Sequence, residues 1–161
     1  KSTGEVMGVD NDFGKAFAKA QIATEGGLPL SGSVFISVRD KDKSPIVDIA
    51  HKLYNLGFQI SATEGTAKAI AEKGTPVTTV MKEYEGRPSV IDHLKNNDIQ
   101  LVINTSKGKF SQRESYIIRQ YAISSGIPYC TTVPGAIAAE SAIRSMLNGE
   151  LDVKSIQEYH N

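Results

Sequence analysis

The chain contains no tryptophan and a single cysteine, Cys130, and its formal charge balances to zero. With few aromatics, it has no platform on which successive bases of a nucleic acid could stack. Charge neutrality removes any general electrostatic drive towards nucleic acid or an anionic membrane, although a local anion site would be invisible in that sum. One cysteine cannot form an internal disulfide, which fits a reducing cytoplasm. No apolar run approaches the ~20 residues that span a bilayer, and no signal-peptide pattern opens the chain. The three histidines, His51, His93 and His160, stand far apart without metal-ligand spacing, so a zinc site is not expected.

What is present is ordinary for one soluble domain: 161 residues, 40% hydrophobic and 22% charged. The chain opens on Lys1-Ser2-Thr3-Gly4 without methionine and reads as a piece of a longer protein. Phe13, Phe17, Ala18 and Ala20 recur at helical spacing, and the stretch from Thr24 to Gly32 then breaks all periodicity. We therefore divide the chain into a lead-in with linker, residues 1–31, and a compact domain, residues 32–161.

Within that domain strands and helices alternate. GSVFISV, FQIS, VTTV, LVINTS and IPYCTT read as strands, each leading into a helix. Ser44-Pro45 reads as a cap followed by proline at the first helical position, with Ile46, Ile49, Ala50, Leu53 and Leu56 as one apolar stripe and Gly57 as the stop. A second helix is expected from Thr66, burying Ala67, Ile70 and Ala71, and a third after Pro88 with Val90, Ile91 and Leu94 inward. The fourth carries Ile117, Ile118, Tyr121 and Ala122. The fifth runs from Gly135 to Leu147, and the tail from Glu150 is expected to pack loosely as interface. The resulting class is α/β: an open, doubly wound parallel sheet of five strands with helices on both faces.

Such a sheet places its ligand crevice beyond the strand C-termini. Thr63, Thr66, Lys82, Asn104, Thr105 and Ser106 fall there, and Lys43 can reach the rim. Around Gly65, threonine hydroxyls and unpaired helix N–H groups suit a phosphate. Taken singly, Thr63 or Thr66 would be an ordinary helix cap and Asn104 to Gly108 a polar turn. Convergence of the two loops with two lysines favours an anion pocket. The run Arg39-Asp40-Lys41-Asp42-Lys43 reads as a solvated loop, with Lys43 alone singled out. Catalytic pairing is absent from the pattern: Cys130 has no activating histidine, and no two of Glu64, Glu83 and Glu85 form an acid and base.

The motifs KSTGEVMG, SVRDKDK, SATEGTA, EGRPSVIDHLKN, INTSKG and YCTT, in this order, resemble the C-terminal end of the carbamoyl phosphate synthetase large chain. The resemblance spans nearly the whole sequence. It implies that residues 1–31 are the tail of an ATP-grasp unit with its linker, and that the remainder is an allosteric domain of methylglyoxal-synthase-like, Rossmann-like fold. The parent enzyme would make carbamoyl phosphate from bicarbonate, glutamine-derived ammonia and ATP with Mg or Mn, for pyrimidine and arginine synthesis. Implied partners are the rest of the large chain, a glutaminase small subunit and a UMP- or IMP-like effector; this fragment itself would hold no cofactor or metal and no catalytic residue. The effector's phosphate and ribose would meet Lys43, Thr63, Thr66, Lys82, Asn104, Thr105 and Ser106. Ser106 stands where bacterial relatives often have threonine, and Lys109 where arginine is common. Relatives regulated by ornithine have aspartate at the position of Cys130, so ornithine is not expected to activate here; Tyr129 and Thr131 remain as second effector contacts. Two other readings are an enzyme on the same fold, a methylglyoxal synthase or IMP cyclohydrolase, and a module for self-association. The first lacks a Gly-Gly-Asp loop, having Glu85-Gly86-Arg87-Pro88-Ser89 instead, and also lacks Lys-Thr-Leu-His-Pro.

Overall fold

Every strand that was expected is present, and each hands over to a helix. A computed structural model describes residues 5–24, 27–105, 109–149 and 151–159; for 109–112, 114 and 156 only the backbone is described. After helix α1 (Phe13–Ile22) come β1 (Ser33–Val38), a 3-10 turn (Asp40–Asp42), α2 (Lys43–Asn55), β2 (Gln59–Ala62) and α3 (Glu64–Ala71). Then follow β3 (Thr78–Thr79), α4 (Val90–Lys95), β4 (Leu101–Thr105), α5 (Lys109–Ser124), β5 (Tyr129–Cys130), α6 (Val133–Leu147) and a closing 3-10 turn (Ile156–Tyr159). The five strands lie parallel in the order β3-β2-β1-β4-β5.

The central strands are buried on both faces, so they read as continuous apolar runs. Val34, Ile36, Leu101 and Ile103 pack with α2, α3 and α6, in a core that includes Ile46, Leu53, Ile70 and Ile143. Phe35 and Val102 point the other way, onto Val90, Ile91 and Leu94 of α4 and Ile118 and Ala122 of α5. The chain runs outwards from β1 to β2 and β3, then returns to start β4 on the other side of β1. That reversal puts a topological switch point between β1 and β4, where sheets of this kind open a crevice.

Several helix limits differ from the sequence reading, each for a local reason. Helix α2 begins at Lys43, continuous with the preceding 3-10 turn, so Ser44 is inside it and does not cap it. Helix α3 begins at Glu64 because Thr63 already has extended backbone; Thr66 is its third residue, and Ala71 is exposed. Helix α6 starts at Val133, where the Thr132 hydroxyl accepts from Gly135 N at 3.1 Å. The stop at Gly57 holds, with φ at +96°, a conformation that costs glycine little.

Helix α1 turns an unexpected face inward. Gly14 and Ala18 are buried against α6, whereas Phe13 is 69% exposed and stacks on Phe17. A side-chain carbon on Gly14 would collide with Ser141 of α6, so small residues set this close approach. The tail returns to the same region: the Tyr159 hydroxyl donates to Val9 O at 2.8 Å, and Lys19 Nζ donates to Tyr159 Oη at 2.9 Å. Among the described residues no helix is long and apolar enough to cross a membrane.

Candidate functional site

The pairing register assembles the crevice. Opposite Ser37 of β1 lies Asn104 of β4, and opposite Val38 lies Thr105. On the other side Ile36 pairs with Ala62, so the chain leaves β2 at Thr63 beside Ser37, with Thr63 N donating to Ile36 O at 3.3 Å. A cavity of about 280 Å³ opens over these strand ends. Six of the residues singled out from sequence line it: Lys43, Thr63, Thr66, Lys82, Asn104 and Thr105. Ser106 lies outside the described residues, as do Lys107 and Gly108 and the side chain of Lys109.

The six do not have equal freedom. Thr66 is 2% exposed, and its hydroxyl ties α3 to β1: it accepts from Val38 N at 3.3 Å and reaches Val38 O at 3.5 Å. Thr66→Val is therefore expected to destabilise the fold by about 1–3 kcal/mol, the cost of stranding a buried donor, while Thr66→Ser keeps most of the stability. Urea titration of both variants checks this; equal midpoints would show that the Val38 N–H does not depend on the hydroxyl. Thr105 is similarly engaged. Its Oγ1 accepts from Arg39 N at 3.3 Å and its hydroxyl donates to Asp42. Asn104 Nδ2 donates to the buried Ser115 Oγ at 3.0 Å, which holds the amide against α5. Thr63 lies within 3.2 Å of Ser37 Oγ and does not cap α3, so that helix meets the cavity without a side-chain cap. Its first N–H groups, at Glu64 and Gly65, belong to the set that an α-helix leaves without internal partners.

The basic side chains complete the rim. Lys43 Nζ sits 3.4 Å from where a side-chain carbon on Gly65 would lie, over the first turn of α3, and bonds Asp40 Oδ1 at 2.8 Å. Asp40 is held below the usual carboxylate range by that hydrogen bond and by the lysine charge. Lys82 Nζ lies 3.8 Å from Glu85 Oε1 and 3.3 Å from the Tyr84 hydroxyl.

Sequence reading missed Arg39, Ser37 and Ser115, all of which line the cavity. The run from Arg39 to Lys43 is not the solvated loop expected. Asp42 is buried and accepts from Arg39 Nε at 2.6 Å. Burial pushes the Asp42 carboxyl up, but the hydrogen bonds from Arg39 and Thr105 outweigh it and leave the group below its ordinary range. Asp42 thereby fixes Arg39 at the cavity edge.

Tyr129 and Thr131 do not join the cavity. Tyr129 packs on the α4/α5 side, where its hydroxyl reaches Ser115 O at 3.5 Å and Arg119 lies 5.5 Å over its ring; Thr131 is exposed. Burial raises the Tyr129 hydroxyl above its usual range, against the opposing effect of Arg119 and a hydrogen bond with Asn104. Cys130 packs against the opposite core, and burial pushes its thiol up to about 11, which leaves it a poor nucleophile. His51 Nδ1 is 3.0 Å from Thr75 Oγ1 and His93 Nδ1 is 3.0 Å from Asp98, and neither histidine lines the cavity.

The sequence profile of the MGS-like domain matches residues 45–131, more than half of the chain, including the loops that follow β2, β3 and β4. The chain belongs to the MGS-like domain family. Among solved structures this MGS-like domain is similar to a methylglyoxal synthase from Elizabethkingia anophelis NUHP1, with a TM-score of 0.58 and 20% identity over 83% of this chain and 93% of that one. At that identity the likeness establishes the fold. Relatives much nearer in sequence are the carbamoyl phosphate synthase large chain of Nostoc sp., 50% identical over 159 residues, and the C-terminal section of the same large chain from Methanocaldococcus jannaschii, also 50% identical over 159 residues. These alignments take in 99% and 98% of the present chain, but only 14% and 26% of the relatives' own lengths.

Proposed function

We propose that this MGS-like domain is the regulatory end of a carbamoyl phosphate synthase large chain, and that its cavity binds the ribose phosphate of a UMP- or IMP-type effector. The supporting observation is the convergence of Arg39, Lys43 and Lys82 with strand-end hydroxyls and the uncapped start of α3 around one cavity. Ammonium and guanidinium groups with free helix N–H donors form the donor set that a phosphoryl group requires. Ser37, Thr63 and Asn104 add neutral groups suited to ribose hydroxyls. A module of this kind acts on its parent enzyme only through different affinities for two conformational states, typically with a coupling of about 1–3 kcal/mol. In this reading the shared ribose phosphate supplies affinity, and the base sets the sign of the effect. The parent enzyme, joined to a glutaminase small subunit, would use ATP with Mg or Mn to make carbamoyl phosphate for pyrimidine and arginine synthesis.

Calorimetric titration of the folded chain with UMP and IMP tests the proposal. Saturable binding of both, each displacing the other, is expected. Absence of heat at millimolar nucleotide, with the chain shown to be folded, would overturn it. Among the described residues, two of the cavity's carboxylates, Asp40 and Glu85, are engaged by lysines, an arrangement that suits anion binding better than acid–base catalysis.

A further inference from the structure

Among the described residues, the cavity that should attract an anion has no excess of formal charge. Its lining carries Arg39, Lys43 and Lys82, and against them Asp40, Glu64 and Glu85. Two of these carboxylates are placed on the lysines that a phosphate would need. Asp40 Oδ1 lies 2.8 Å from Lys43 Nζ. Glu85 folds back over a turn in which its own N–H donates to Lys82 O at 3.0 Å. Its Oε2 accepts from Lys82 N at 2.9 Å while Oε1 faces Lys82 Nζ at 3.8 Å. A backbone N–H and an ammonium on one side of a cavity form an anion-binding pair, and Glu85 occupies it as a phosphate oxygen would.

We infer that Asp40 and Glu85 are built-in counterions that an incoming phosphoryl group displaces from Lys43 and Lys82, so that they set the effector affinity of the site. The inference rests on the anion-binding reading above and assigns a role to two residues that would not themselves hold the ligand. Asp40 is almost wholly solvent-exposed, with its side chain 95% accessible, so it can swing into water without leaving a buried charge behind. Glu85 is partly exposed and can do the same by unfolding one side-chain turn. Exchange of the two carboxylates for one phosphate dianion then keeps each ammonium partnered and leaves the charge balance of the cavity unchanged. Glu64 provides the internal contrast. It lines the same cavity from the first turn of α3, where the helix N-terminus favours its charge, and it is bonded to neither lysine in the described structure.

The test is calorimetric titration with inorganic phosphate, which has no ribose to read, followed by UMP. Asp40→Asn and Glu85→Gln are each expected to tighten phosphate about two- to fivefold, the range in which exposed ion pairs contribute. The double variant is expected to gain about tenfold, and all gains should shrink at high salt. Glu64→Gln removes the same charge from the same cavity without releasing a lysine, and is expected to gain less than about twofold. Wild-type binding with no gain in Asp40→Asn or Glu85→Gln would overturn this inference alone. An equal gain in Glu64→Gln would reduce it to general repulsion and also overturn it. If Glu85→Gln left phosphate unchanged and weakened UMP, Glu85 would be a ribose contact instead of a counterion. No phosphate or nucleotide binding in any form of the folded chain would remove the anion site itself, and this inference with it.

Discussion

Lys43→Ala is expected to weaken inorganic phosphate and UMP by about ten- to a hundredfold, the range associated with losing one charged hydrogen bond. The effect should exceed that of a typical surface lysine for two reasons. Lys43 Nζ is set over the first turn of α3, so its charge and the helix start act on the same point. Its removal also leaves the exposed Asp40 carboxylate on the cavity rim with its charge no longer offset by Lys43. Combining Lys43→Ala with Asp40→Asn should restore part of the lost affinity, and the shortfall from additivity measures the coupling between the two groups. Lys82→Ala is expected to weaken both ligands as well, but less, because the backbone N–H of Lys82 remains to hold Glu85 or a phosphate oxygen. Calorimetry on variants of matched melting temperature reads all three. Wild-type affinity in Lys43→Ala would remove that lysine from the site and leave Lys82, Arg39 and the start of α3 as the phosphate donors among the described residues.

The sheet and the crevice were legible because their signals are local. Apolar stripes such as Ile46, Ile49, Ala50 and Leu53 and stops such as Gly57 fix helices without reference to the rest of the chain, and the order of elements then constrains the topology. Positions at strand C-termini follow from that order, which is why Lys43, Thr63, Asn104 and Thr105 could be placed at one rim. What the sequence concealed depends on distant partners. Arg39 and Asp42 look like members of a solvated run until β4 brings Thr105 beside them. Ser115 is an unremarkable serine in a helix until Asn104 packs on it. Sequence also locates a hydroxyl without revealing whether its proton is already engaged, and Thr66 and Thr105 prove to be largely internal braces. The starts of α2 and α3 each moved by two residues because the backbone ahead of them enters through a 3-10 turn or an extended threonine, which a search for capping residues does not register.

The same chemical change should have very unequal consequences in the central strand and on α1. Phe35 is fully buried in the central strand, between Val34 and Ile36 of the opposite core, and its ring fills the layer formed by Val90, Leu94, Val102 and Ile118. Phe35→Ala removes that ring from a layer that backbone pairing on both sides of β1 prevents from collapsing, and the cost is about 3–5 kcal/mol. Against a typical domain stability of about 5–15 kcal/mol, that is a large share, and the midpoint of urea unfolding should fall sharply with its slope unchanged. Phe13→Ala deletes an identical ring from α1, but there the ring is mostly in water and, among the described residues, is stacked on Phe17 alone. Its midpoint should move by no more than about 0.5 kcal/mol equivalent. Because Phe35 lies two residues before Ser37 on the strand that carries one wall of the cavity, its loss should also loosen the pairing of Ser37 with Asn104 and lower phosphate affinity. Phosphate binding that survived undiminished in folded Phe35→Ala would show that the cavity wall is held by hydrogen bonding between strands and does not depend on the hydrocarbon packed behind it.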